Sequence, residues 1–90
     1  MAIAVYYHPK AMWAADYDEV LRRLDAIGLA RPAGCLHHSC FGQDGSLMVY
    51  DVWESAEAFG AFRESLTPIM REIGLEPAPM DVMPVHDMLS

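Results

Sequence analysis

Residues 47–53, LMVYDVW, are apolar on both sides of a strand. Extended backbone sends successive side chains to opposite faces, so Leu47, Val49 and Trp53 share one face while Met48, Tyr50 and Val52 share the other. Such a strand needs cover on both sides, which excludes an antiparallel sheet with one wet face. One residue breaks the pattern. Asp51 places a carboxylate two positions before the tryptophan, and a carboxylate held there requires an internal partner.

Ninety residues make a single domain, residues 1–90, near the size at which one chain barely buries enough core by itself, so oligomerisation is expected. The composition, 53% hydrophobic and 21% charged, is that of a globular chain, and no apolar run approaches the roughly 18 residues of a membrane span. A net charge of -7 repels phosphate backbones and anionic lipid, which argues against nucleic acid and membrane partners. The start, MAIAVYYHPK, has no basic leader and no long apolar core, and it reads as the first strand of a cytoplasmic protein. Cys35 and Cys40 stand five positions apart in one expected strand. That spacing puts them on opposite faces about 16 Å apart, too far for a disulfide. The four histidines have no zinc-like spacing, so neither a metal nor another cofactor is expected.

Ile3, Val5 and Tyr7 alternate with Ala4, Tyr6 and His8 up to Pro9, as in a strand. Tyr17, Val20, Leu21, Leu24 and Ile27 then recur at helical spacing, with acidic residues early and Gly28 at the end. Trp13 cannot cap this helix, so its start is expected to fray or to lay the indole over one end of the sheet. Residues 35–41 and 47–53 flank Gln43-Asp44-Gly45-Ser46, and Asp-Gly predicts a hairpin closed by a type I′ turn. Ser55 can cap a second helix bearing Phe59, Phe62, Leu66, Ile69 and Ile73, which Pro68 should bend and Gly74 should end. After the proline-rich EPAP, Met80 to Met88 reads as a last strand, at the sheet edge because of Pro84. The order βαββαβ predicts an α+β, ferredoxin-like fold: a four-stranded antiparallel sheet in the order 4-1-3-2 with both helices on one face.

A strand ending at Pro9, YDEVLRRL on the first helix, Gly34 followed by His38, DVWESAEAF and the final PVHDML together resemble the dimeric α+β barrel superfamily, which includes the antibiotic biosynthesis monooxygenase-like proteins. The resemblance implies a homodimer whose sheets pack face to face, with a pocket in each subunit between sheet and helices. It also implies a range of activities, since members include cofactor-free oxygenases of aromatic polyketides, haem-degrading enzymes and isomerases. The oxygenases often place an amide on the strand before the tryptophan, where this chain has Leu47 and Val49.

A two-residue turn at Asp44-Gly45 makes cross-strand partners sum to 89, which pairs His38 with Asp51, Leu36 with Trp53 and Cys40 with Val49. The expected catalytic pair is therefore His38 and Asp51, the carboxylate orienting the imidazole. Trp53, Leu36 and Val49 would line the pocket, and His86 would complete its rim. Two functions remain open. One is an apolar pocket that binds a hydrophobic or aromatic small molecule. The other is a cofactor-independent monooxygenase or isomerase of an aromatic polyketide-like substrate, with His38 as base.

Overall fold

The computed structural model describes residues 1–75 and 80–89. Its elements run β1 (Ile3–Tyr7), α1 (Ala14–Ala26), β2 (Cys35–Phe41), β3 (Met48–Trp53), α2 (Ala56–Ile73) and β4 (Asp81–Pro84). The strands form one antiparallel sheet in the order β2-β3-β1-β4, the arrangement that the element order predicts. β3 is central, and Asp51 lies between Val5 of β1 and His38 of β2. The last strand is shorter than expected. It stops at Pro84, after which Val85 N–H continues the edge by donating to Ala2 O at 3.0 Å. The EPAP connector lies outside the described residues.

Both helices pack on the face that carries Ile3, Val5 and Tyr7. Tyr7, Val20, Leu24, Ile69 and Met70 form one buried cluster, and Ile3, Val5, Trp53 and Phe59 form a second. Helical spacing explains which residues enter these clusters, because Val20 and Leu24 lie one turn apart on α1. The Ser55 hydroxyl caps α2 by accepting from Ala58 N–H at 3.1 Å, and the helix runs on through Pro68 to a left-handed Gly74. Arg23 reaches Glu72 at 3.1 Å, tying the two helices at the surface.

The opposite sheet face has no helix. Met48 is half-buried there, beneath the Tyr6 hydroxyl at 3.1 Å, and the large side chains of Phe41, Tyr50 and Met83 are exposed. Val52, on the same face, is already buried within one chain.

The hairpin differs from expectation in two ways. Gln43 to Ser46 does close a turn, with Ser46 N–H donating to Gln43 O at 2.8 Å. Only its glycine has a positive φ, however, at +92°, whereas a type I′ turn needs positive φ at Asp44 as well. The register nevertheless holds, because the turn is still centred between residues 44 and 45: His38 pairs with Asp51, Cys40 with Val49 and Phe41 with Met48. The second difference is a β-bulge between Cys35 and His37, which pairs Trp53 with Cys35 rather than with Leu36. By shifting the alternation, the bulge brings Cys35 to the helix side, the side that Cys40 also faces. The two thiols share a face but remain free and four ladder steps apart, roughly 13 Å.

The turn also starts α1. Asp44 Oδ1 accepts from Ala14 N–H at 2.7 Å and Asp16 accepts from Trp13 N–H at 3.4 Å, so two carboxylates take the orphan donors that Trp13 cannot. The Trp13 indole lies on Gly45, where a Cβ would come within 2.9 Å of the ring. Of the two expectations for this helix start, fraying gives way to a cap borrowed from the hairpin, and the indole lies over the hairpin turn. Replacing Asp44 with Ala should cost about 1 kcal/mol in denaturant unfolding, and Asp44→Asn should cost less, since an amide oxygen still accepts.

Candidate active site

The site begins with the buried carboxylate on β3. Asp51 is 8% exposed, and both of its oxygens are engaged: Oδ1 lies 2.5 Å from His38 Nδ1, and Oδ2 accepts from Trp53 Nε1–H at 3.3 Å. Residues 51 and 53 share a face because of strand alternation, which lets the indole reach back to the carboxylate. Among the described residues, no buried side-chain nitrogen or oxygen lacks a partner, so the burial of Asp51 is compensated.

His38 continues the chain outward. Its Nε2 lies 2.5 Å from Tyr17 Oη, and the two rings are nearly parallel, at 6°, with centroids 6.0 Å apart. Trp53, Asp51, His38 and Tyr17 thus form one hydrogen-bonded row that crosses from β3 through β2 to α1. Burial pushes the Tyr17 phenol up to about 12, with smaller contributions from negative charge at Cys40, Asp51 and Asp18. Tyr17 is therefore a hydrogen-bonding phenol at neutral pH. Burial also raises the pKa of both thiols, helped by Asp51 at Cys35 and by Asp18 at Cys40, so neither is an activated nucleophile.

The row forms one wall of a cavity of about 610 Å³ between the sheet and the two helices. Val20 and Leu24 of α1, Leu66 and Met70 of α2, and Leu75 make most of the wall apolar. A volume of this size suits a small organic ligand. Val49 is among the residues that line the cavity. Trp53 borders it but is only 1% exposed, wedged against Phe59 and Phe62 with centroids 5.7 and 5.1 Å away, so it is a floor rather than a free stacking surface. Leu36 reaches the cavity rim from the bulge, 52% exposed, in place of the cross-strand position opposite Trp53. His86 lies beyond the ladder, which ends at Pro84, and is exposed and not among the residues that line the cavity. Sequence reasoning assigned Tyr17 to the apolar stripe of its helix. Its hydroxyl, unique among the residues of that stripe, was the available signal. Arg31, in the segment after α1, also lines the cavity without having been anticipated. Among the described residues, no group of three or more His, Cys, Asp or Glu could hold a metal ion, and no helix is long and apolar enough to cross a membrane.

A ferredoxin-like sheet with a pocket beneath two helices defines the class of protein. Residues 1–72 match the family model of antibiotic biosynthesis monooxygenases, and the chain belongs to that family. Among solved structures it is similar to SnoaB, a cofactor-independent oxygenase from Streptomyces nogalater, at TM-score 0.70 and 19% identity over 98% of this chain and 96% of that one. It is also similar to Rv0793 from Mycobacterium tuberculosis, at TM-score 0.72 and 17% identity over the full length of both chains. A third likeness is to the monooxygenase ActVA-Orf6 of Streptomyces coelicolor, solved with Nanaomycin D, at TM-score 0.55 and 20% identity over 99% of this chain and 91% of that one. These likenesses establish the fold. No curated protein matches the sequence.

The raised Tyr17 pKa has a sign that can be checked. Its folded value of about 12 lies above the ordinary 10.0, so the contribution to stability is complete below pH 10 and is lost as pH rises through 12. Wild type should therefore lose stability relative to Tyr17→Phe across that window in denaturant titrations. Tyr17→Phe should also remove a component ionising near 12 from the alkaline ultraviolet titration.

Proposed function

We propose that this protein binds a planar, apolar small molecule in the cavity between its sheet and helices, with the polar row of Tyr17, His38 and Asp51 meeting the polar edge of that ligand. The observation that carries this reading is the pairing of a mostly apolar cavity of about 610 Å³ with a single hydrogen-bonded row in its wall. A cavity that served only as packing space would need no such row. The likeness to ActVA-Orf6, solved with Nanaomycin D, supports a small-molecule ligand. Trp53, Val49 and Leu36 form the floor and rim in this reading. The likeness to a cofactor-independent oxygenase supports the narrower reading of an enzyme that works without a cofactor, a monooxygenase or isomerase in which His38 would be the base.

The working unit in this proposal is a homodimer formed through the helix-free sheet face. The support is physical: Met48, Tyr50 and Phe41 would otherwise leave a broad apolar surface in water on a chain of only 90 residues. A net charge of -7 gives no surface suited to nucleic acid, and two free thiols fit a reducing compartment, the cytoplasm.

Both parts have direct tests. In a Trp13→Phe background, Trp53 emission should fall saturably on titration with the O-methyl ether of umbelliferone, a planar coumarin, at one molecule per chain; no saturable change would remove the pocket reading. Sedimentation at micromolar concentration should give twice the chain mass of 10.0 kDa, and a monomer would remove the dimer. Tyr50→Asp should shift the dimer toward monomer by burying an unpaired charge, whereas Tyr50→Phe should leave it intact.

A further inference from the structure

The row in the cavity wall has a direction, which follows from the carboxylate. Asp51, ionised, only accepts hydrogen bonds, so His38 Nδ1 must be the donor to it. A neutral imidazole that carries its proton on Nδ1 presents a lone pair at Nε2. Tyr17, whose oxygen is 2.5 Å from that nitrogen, is then the donor to His38. With its one proton committed, the Tyr17 oxygen has only lone pairs left. His38 is its one hydrogen-bond partner among the described residues, and Tyr17 lines the cavity. The group in the ligand that best meets those lone pairs is a hydroxyl.

We propose that Tyr17 is the residue that touches the ligand, and that His38 and Asp51 act through it to draw the proton from an enol or phenol hydroxyl of a planar apolar molecule. This rests on the cavity reading above and deepens it by naming the substrate group. The ligand O–H bond breaks and its proton joins Tyr17 Oη, while the proton of Tyr17 passes to His38 Nε2. The electron pair of the broken bond stays on the ligand oxygen as an enolate or phenolate. Nothing is oxidised or reduced, and no co-reactant is needed. Tyr17 ends neutral, its new O–H now donating to the anion, and the imidazolium faces the buried carboxylate.

The surroundings agree with a Tyr17 that passes a proton and never stores charge. Asp18 from α1, Cys35 and Cys40 from β2 and Asp51 from β3 face this region, and none of them is a cation that would stabilise a tyrosinate. The cavity wall of α2 is apolar, from Phe62, Leu66 and Met70. Arg31 is the sole Lys or Arg lining the cavity among the described residues, and it favours an anionic ligand. Direct abstraction by His38, the simpler expectation, is blocked because Nε2 is already occupied by Tyr17.

The test uses umbelliferone, whose phenol and phenolate absorb at different wavelengths, with its O-methyl ether as a binding control. Bound to the wild-type protein, umbelliferone should ionise about one pH unit or more below its midpoint in buffer. Measured at umbelliferone concentrations that saturate each variant, Tyr17→Phe and His38→Ala should each return the midpoint to the buffer value. Asp51→Asn should also abolish the shift, because an amide donating to Nδ1 reverses the row and makes Nε2 the donor to Tyr17. A shift that survives Tyr17→Phe would overturn the relay. Binding of both coumarins by wild type without any shift would overturn the relay and leave the cavity reading standing. Failure of the ether to bind wild type would remove both readings, and failure of umbelliferone alone would overturn the relay and leave the cavity reading standing.

Discussion

An ionised carboxylate in the interior costs several kcal/mol unless donors replace the water it has lost, and Asp51 sits in a central strand where water is excluded. Two donors restore the balance, the imidazole of His38 from the neighbouring strand and the indole of Trp53 from its own. Much of the site follows from that requirement. Trp53 is held with its ring against Phe59 and Phe62 because its N–H must reach the carboxylate, and this ties the second helix to the same point. His38 is held in one tautomer, and Tyr17 is aligned by that tautomer. A helix, two strands and the cavity between them are thus organised around one negative charge.

The hairpin makes this arrangement possible. Its turn sets the register that puts His38 beside Asp51, and a slip by one residue would send the imidazole to the helix-free face. The same turn lends Asp44 to the first helix, fixing the start of the element that carries Tyr17 one residue beyond Asp16. One short loop therefore positions two of the four members of the row, His38 through strand register and Tyr17 through the helix cap. The bulge at Leu36 lies on the far side of His38 from the turn, so it leaves this pairing untouched while bringing Cys35 under Trp53.

These points also explain what could be read from the residues. The order of elements, the sheet topology and the His38–Asp51 pairing were legible because each depends on short-range signals: period-two and helical alternation, Ser55, Gly74, and Asp44-Gly45 between two apolar runs. The turn type was misread because Asp-Gly also suits a turn with positive φ only at the glycine. The bulge was invisible because nothing in CLHH distinguishes a regular pair from an inserted residue, and the misplacement of Leu36 and the facing of Cys35 both follow from it. The length of the last strand was not legible because pairing ends at Pro84, beyond which pattern alone cannot locate a side chain such as that of His86. Tyr17 was hidden for a different reason. A tyrosine in an amphipathic stripe satisfies the core pattern with its ring, and only the fold reveals that its hydroxyl ends beside an imidazole 21 residues away.

The chemistry of the site depends most on the direction of the hydrogen-bonded row, and that direction is set by which imidazole nitrogen of His38 carries the proton. Long-range proton–nitrogen NMR correlations on the His38 ring, at a pH where the ring is neutral, measure this directly. The proton should be on Nδ1, facing Asp51, with Nε2 bare and accepting from Tyr17. A ring protonated on Nε2 with a bare Nδ1 would reverse the row and contradict the account.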